Sequence, residues 1–247
     1  MGSILKTTEL SRQYGKDKGI HGIDLELYEG DIYGLLGPNG AGKTTFLKLI
    51  TGLIKADRGE ISLFGVPGAD GLQKGMHQLG CMIDSADFHD YLTARQYLST
   101  VARFYPHVTG MQIDGILERV GLLNVRNVKI KNFSTGMKMK LALAAAVLPS
   151  PRFVVLDEPT NGLDVEGIVM FRELIQSMNR EMHSTFLVSS HMIHELEQLC
   201  NRVGIVQKGR IVMEGEVKEL LGSGQTLESF YLGVLQGSSR NVEVQDV

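Results

Sequence analysis

The run Gly37-Pro38-Asn39-Gly40-Ala41-Gly42-Lys43-Thr44 constrains this chain more than any other feature. It matches G-x-x-x-x-G-K-[ST] in full, and its flanks suit the pattern. Ile32 to Leu36 is a short apolar run, as in a strand buried on both faces. After the loop, Phe46, Leu49, Ile50 and Leu53 fall on one face of a helix. A glycine-rich loop between such elements curls so that successive N–H groups point at phosphate oxygens. The helix N-terminus adds a partial positive charge. Lys43 is then placed to reach β- and γ-phosphates, and Thr44 to offer its hydroxyl to Mg²⁺. Thr45 adds a further phosphate contact.

A second apolar run, Phe153 to Leu156, ends in Asp157-Glu158. That places two carboxylates at the tip of a buried strand, where α/β sheets carry their ligand-binding groups. Asp157 can hold Mg²⁺ through its water shell, because this ion keeps several waters and takes few protein ligands. Glu158, one residue on, can orient or deprotonate an attacking water.

The remaining pattern organises the chain around these two motifs. Ile23, Leu25 and Leu27 alternate with polar residues as in a half-buried strand, Gly30-Asp31 marks a turn, and Gly59 to Phe64 reads as another strand. From about residue 88 the pattern turns helical. Thr93 and Gln96 fit a capping box ahead of the stripe Ala94, Tyr97, Leu98, Val101 and Ala102. Thr109 and Gln112 repeat it before Ile113, Ile116, Leu117 and Val120, with Gly121 placed to end the helix. A third helix is expected from near Ser134 to Leu148, stopped by Pro149. Strand signals return at 153–156 and 185–188, and the intervening helices point to a parallel α/β core. A helical block of about 85–149 thus interrupts a core of about 1–84 and 150–222. One domain is expected over 1–235, with a flexible tail at 236–247.

Composition excludes some classes. The formal net charge of −3 lacks the basic surplus of most nucleic-acid binders. Cys81 and Cys200 fit no metal spacing and read as two reduced thiols. The sequence holds no run of 18 apolar residues, so no bilayer span is expected. The segment Met1 to Leu10 lacks a signal-peptide pattern, and Lys6 disfavours myristoylation of Gly2.

Together these motifs resemble the ABC ATPases over nearly the whole chain. Phe133-Ser134-Thr135-Gly136-Met137 looks like the family's signature loop, usually Leu-Ser-Gly-Gly-Gln; Ser134 and Gly136 remain, and the other three positions differ. The resemblance implies that Ser134, Thr135 and Gly136 cap the γ-phosphate of ATP bound to an opposite subunit. Thr160-Asn161-Gly162-Leu163-Asp164 looks like the D-loop, which crosses that interface. His191, after Ser189-Ser190, resembles the switch histidine that contacts the γ-phosphate, and Tyr14 the aromatic residue that stacks on adenine. The implied fold is a P-loop NTPase core with an inserted α-helical subdomain and an N-terminal antiparallel β-subdomain.

One position departs from the family. Where Gln usually touches Mg²⁺ and the attacking water, and couples the site to a membrane partner, this chain has Asp84. A carboxylate there resembles the branch that exports or resists antibiotic peptides such as bacitracin and lantibiotics, in which Glu is usual. Ser134-Thr135-Gly136-Met137-Lys138 and Leu227-Glu228-Ser229-Phe230-Tyr231 also suit that branch. The resemblance implies an ATPase using ATP and Mg²⁺ at the cytoplasmic face of a membrane. Its expected partners are a second ATP-binding subunit and a separate permease, without nucleic acid. Two alternatives stand beside it: a soluble family member acting on ribosomes or DNA, and a nucleotide sensor without turnover.

Overall fold

The computed structural model describes residues 2–15, 18–84, 88–221 and 226–242. Strands β1 (Ser3–Gly15) and β2 (Lys18–Tyr28) pair antiparallel. The alternating Ile23, Leu25 and Leu27 of β2 turn one face inward, as the period of two requires. Next, β3 (Ile32–Leu36) has all five residues buried and runs through the glycine loop into α1 (Lys43–Ile50). Strands β4 (Arg58–Leu63) and β5 (Val66–Pro67) complete a four-stranded sheet in the order β2-β1-β4-β5. Helix α2 (Gly68–Gly75) then leads to β6 (Leu79–Met82).

The helical stretch follows as α3 (Ala94–Ala102), α4 (Gly110–Arg119) and α5 (Thr135–Val147). Thr93 and Thr109 both form the full capping boxes that the sequence predicts. After them come β7 (Phe153–Asp157), α6 (Val165–Met182), β8 (Thr185–Ser190), α7 (Ile193–Leu199) and β9 (Arg202–Gln207). The described chain ends with β10 (Arg210–Glu216), α8 (Val217–Leu220) and α9 (Leu227–Val242). The larger sheet has the order β10-β9-β3-β8-β7-β6, parallel except for the edge strand β10.

Side-chain alternation gives the central strands two buried faces. Phe153 and Val155 of β7, with Leu187 of β8, join Tyr33 and α1's Phe46 in the apolar layer between the two sheets. Val154, Leu156, Phe186 and Val188 point the other way. They pack with Leu98, Leu117, Leu141, Phe171 and Leu196 of the helices. The helical stretch therefore shares its core with the sheet. At the opposite end Arg202 donates to Asp31 Oδ2 at 2.7 Å, Glu214 Oε1 at 2.6 Å and the Glu26 carbonyl at 3.1 Å, pinning both sheets together.

One expectation needs correction. Leu53 is not on α1: the helix ends at Ile50, and Leu53 is 60% exposed. Thr51 turns its hydroxyl back onto the Leu47 carbonyl, and Gly52 takes φ 73°, which breaks the helical path. At the C-terminus α9 runs to Val242, and residues 243–247 of the expected tail lie outside the described residues. Both cysteines are free. Cys200 is buried, and burial pushes its thiol well above the usual range, so it packs as an apolar group.

Gly80 marks the closest approach of β6 to α5. A Cβ there would lie 2.1 Å from the Ala146 carbonyl oxygen, a backbone atom that cannot rotate away. We expect Gly80→Ala to cost about 1–3 kcal/mol or more by overpacking. Urea unfolding checks it; an unchanged midpoint would contradict this packing.

Candidate functional site

Three neighbouring parallel strands end at one edge of the larger sheet, and each delivers a functional loop. From β3 comes the glycine loop. Gly37 and Gly42 are required there: a Cβ on Gly37 would meet the Val206 carbonyl oxygen at 2.5 Å, and one on Gly42 would meet Ile20 at 2.8 Å. Gly42 also takes φ 108° as N-cap of α1, and no side chain caps that helix. Its first amides are left to an anion, which the helix dipole also favours. Lys43, nearly buried, curls back to donate to the Gly37 carbonyl at 2.7 Å.

From β7 come Asp157 and Glu158. Asp157 accepts from the Thr44 hydroxyl at 2.7 Å and from the Ser189 hydroxyl at 2.5 Å. Glu158 sits in the left-handed region at φ 47°, a conformation that costs about 1–3 kcal/mol for a non-glycine residue. Its N–H is held by the Ser189 hydroxyl at 3.0 Å and the Ser189 carbonyl at 3.2 Å. Its carboxylate meets Lys43 Nζ at 3.2 Å with one oxygen and His191 Nδ1 at 2.7 Å with the other. His191 follows directly on β8. Strand order alone thus brings together residues more than a hundred positions apart.

A cavity of about 330 Å³ opens over this constellation. It is lined by Tyr14, the loop from Pro38 to Thr45, and Glu158. Tyr14 is 55% exposed, with the Arg12 guanidinium 5.3 Å from its ring centroid. That contact steadies the ring while leaving area for a planar partner. The sequence reading missed Lys18 and Gly19, which also line this cavity, because β2 reaches it only through sheet pairing. It also assigned Ser189 no role, although this hydroxyl serves both acids.

The other candidate residues lie elsewhere. Ser134 caps α5 by accepting from the Met137 N–H at 3.2 Å, and Asp164 caps α6 by accepting from the Gly167 N–H at 2.8 Å. Neither lines the cavity, and nor do Thr135 and Gly136. The two loops adjoin each other instead: a Cβ on Gly136 would lie 3.2 Å from the Gly162 carbonyl oxygen. Asp84 ends on Lys48 Nζ at 2.6 Å. This hydrogen bond raises the Lys48 pKa, against a smaller effect of burial. No hydrogen bond or ion pair joins Asp84 to Thr44 or Asp157 among the described residues.

With this geometry in view, comparisons place the chain. The ABC transporter family model matches residues 20–161. A bacitracin transport ATP-binding protein of Bacillus licheniformis is 40% identical over 214 residues, which cover 87% of this chain and 70% of that protein. A lantibiotic transport ATP-binding protein of Streptococcus pyogenes is 35% identical over 227 residues, 92% of this chain and 96% of that one. The solved structure of an ATP-binding subunit of an ABC transporter gives a TM-score of 0.84 at 26% identity, covering 94% and 99% of the two chains. A dimeric ATP-binding cassette in a post-hydrolysis state, bound to ADP and Pi, shares the fold with a TM-score of 0.79 at 22% identity, over 87% and 99%. This chain therefore belongs to the ABC transporter family as an ATP-binding subunit with the ABC ATPase fold.

Ser189 offers a direct test of how the acids are held. Ser189→Ala removes one hydrogen bond from Asp157 and one from the Glu158 N–H. We expect ATP turnover to fall about 10- to 100-fold, the usual cost of losing a group that orients a metal-holding side chain, the role the resemblance implies for Asp157. Steady-state turnover across a Mg²⁺ titration, with unchanged circular dichroism, checks it. Parental turnover at every Mg²⁺ level would contradict the assignment.

Proposed function

We propose that this chain binds and hydrolyses MgATP as half of a closing dimer that drives a separate membrane permease. The observation that carries the reading is the linked set Lys43–Glu158–His191 beside Thr44–Asp157. Each is a group that phosphoryl transfer from ATP to water can use: Lys43, Thr44 and Glu158 line one cavity, and Asp157 and His191 are bonded to Thr44 and Glu158.

The chemistry follows from these groups. ATP lays its phosphate chain along the loop from Gly37 to Thr45, and its adenine against Tyr14. Lys43 exchanges Glu158 for phosphate oxygens, since a bound polyanion offers it more negative charge than one carboxylate. Glu158, released on that side, accepts a proton from water while His191 keeps hold of its other oxygen. The new bond joins the water oxygen to the γ-phosphorus, the bond to the bridging oxygen breaks, and ADP and phosphate leave. The donor set of the Thr44 hydroxyl and the Asp157 carboxylate fits Mg²⁺, a hard cation that takes few protein ligands. When bound, that ion neutralises charge on the β- and γ-phosphates.

The placement of Ser134 to Gly136 and Asp164 outside the cavity supports a composite site. Each site would take its phosphate loop from one chain and its signature loop from another, a second copy or a relative. No helix among the described residues is long and apolar enough to cross a membrane; in this reading the chain sits at the cytoplasmic face against a separate permease that carries the transmembrane path. The two bacterial relatives, named for bacitracin and lantibiotic transport, support an antibiotic peptide or similar hydrophobic compound as cargo, and we read the direction as export.

Two outcomes test this reading. Glu158→Gln should keep ATP binding but cut turnover about 100-fold or more, near 2.7 kcal/mol of barrier. It should also trap an ATP-dependent dimer on size exclusion. Parental turnover would remove Glu158 from the chemistry. The Lys48 pair makes a second test. Lys48→Ala would leave the Asp84 carboxylate uncompensated near a polyanion, weakening ATP binding about two- to five-fold at low salt. Adding Asp84→Asn should restore the affinity; equal affinity in Lys48→Ala and the parent would contradict this account.

A further inference from the structure

A second bond crosses between the loops that carry Glu158 and His191. Thr160 Oγ1 donates to Glu195 Oε2 at 2.5 Å. Thr160 is buried and stands two residues after Glu158; Glu195 lies on α7, four residues after His191. The loop between Glu158 and Asp164 is wound tightly, with the Asn161 N–H on the Glu158 carbonyl at 3.2 Å and the Leu163 N–H on the Thr160 carbonyl at 3.1 Å. Anchoring Thr160 therefore anchors the whole loop, including the strained backbone of Glu158.

The setting of Glu195 is costly. Its other oxygen, Oε1, is buried and has no hydrogen-bond partner. Glu195 lines a cavity of about 360 Å³ with Val165, Ile168, Phe171 and Val188, and also with Arg172 and His194. A carboxylate oxygen left unpaired in such surroundings destabilises a fold, and a single hydroxyl does not offset that. Stability alone would favour an apolar residue. The carboxylate instead serves geometry: one bond between two loops permits rotation about it, and two bonds do not.

We infer that Glu195 is a positioning residue for ATP hydrolysis. Through Thr160 it fixes the loop carrying Glu158 against the segment carrying His191. The Glu158 carboxylate then stays aligned on His191 after Lys43 turns to the phosphates. The inference rests on the proposed ATPase reading and assigns Glu195 no contact with ATP.

The test compares wild type, Glu195→Ala, Glu195→Gln, Thr160→Val and the double variant Glu195→Ala/Thr160→Val in steady-state MgATP hydrolysis. Misalignment of a reacting group by about 1 Å can cost 100-fold, so a loss in kcat of about tenfold or more is expected for Glu195→Ala and Thr160→Val. KM for ATP should stay within about twofold, because the phosphate loop is untouched. Glu195→Gln keeps an acceptor oxygen and should retain most of the activity. The double variant should be no worse than either single one, as two ends of one bond behave. Parental kcat in Thr160→Val, independent losses that multiply in the double variant, or a Glu195→Gln protein as impaired as Glu195→Ala would each overturn the inference. Thr160→Val, close in shape to the parent, keeps the test decisive if Glu195→Ala fails to fold. Absence of turnover in the wild type would instead overturn the ATPase reading itself.

Discussion

Lys43 and His191 reach the Glu158 carboxylate from opposite sides, at 3.2 and 2.7 Å, and the rest of the site depends on this shared anion. Lys43 opens α1 at the end of the loop after β3, Glu158 directly follows β7, and His191 directly follows β8. These strands are adjacent in the order β3-β8-β7, so the carboxylate is the point where three loops converge. The backbone of Glu158 is held at positive φ by Ser189, on the strand between the other two. Local strain of this kind persists only where surrounding contacts over-determine it, and the contacts to Glu158 from Lys43, His191, Ser189 and Asn161 do so here.

The sheet explains why that arrangement is rigid. Residues of β7 and β8 alternate between two apolar layers, so a slip by one residue would move every side chain to the other layer and mispack both. Gly80 seats α5 close on β6, and α5 begins at the signature residues. The geometry of the loops is thus inherited from the core. Loops on such a scaffold can exchange partners, Glu158 for phosphate at Lys43, while their roots stay fixed.

Much of this was legible in the sequence. The glycine loop, the acidic pair and both capping boxes are local patterns whose chemistry dictates residue type at fixed spacing, and these elements form where the pattern puts them. What escaped notice depends on pairing between distant segments. Ser189 reads as an unremarkable strand residue until β8 is laid beside β7. Lys18 and Gly19 line the cavity because of where β2 lies, and no motif announces them. Leu53 fits a helical stripe, yet the Thr51-Gly52 turn ends α1 first, since local backbone preference outweighs a weak apolar repeat. Asp84 is expected at the metal site by resemblance alone, and its ion pair with Lys48 on α1 is visible only in the structure. An ion pair between residues so far apart leaves no mark in periodicity.

The central claim is that the nucleotide site of one chain is completed by the signature loop of another. It can be tested by mixing a chain carrying Asn39→Cys with a chain carrying Ser134→Cys, both with Cys81→Ser, and adding a short thiol cross-linker with or without MgATP. Bridging requires the two positions to approach within the reach of that linker. The account predicts a cross-linked heterodimer that forms with MgATP and is absent without it. No cross-link in saturating MgATP, from chains shown to bind it, would contradict a site shared between two chains.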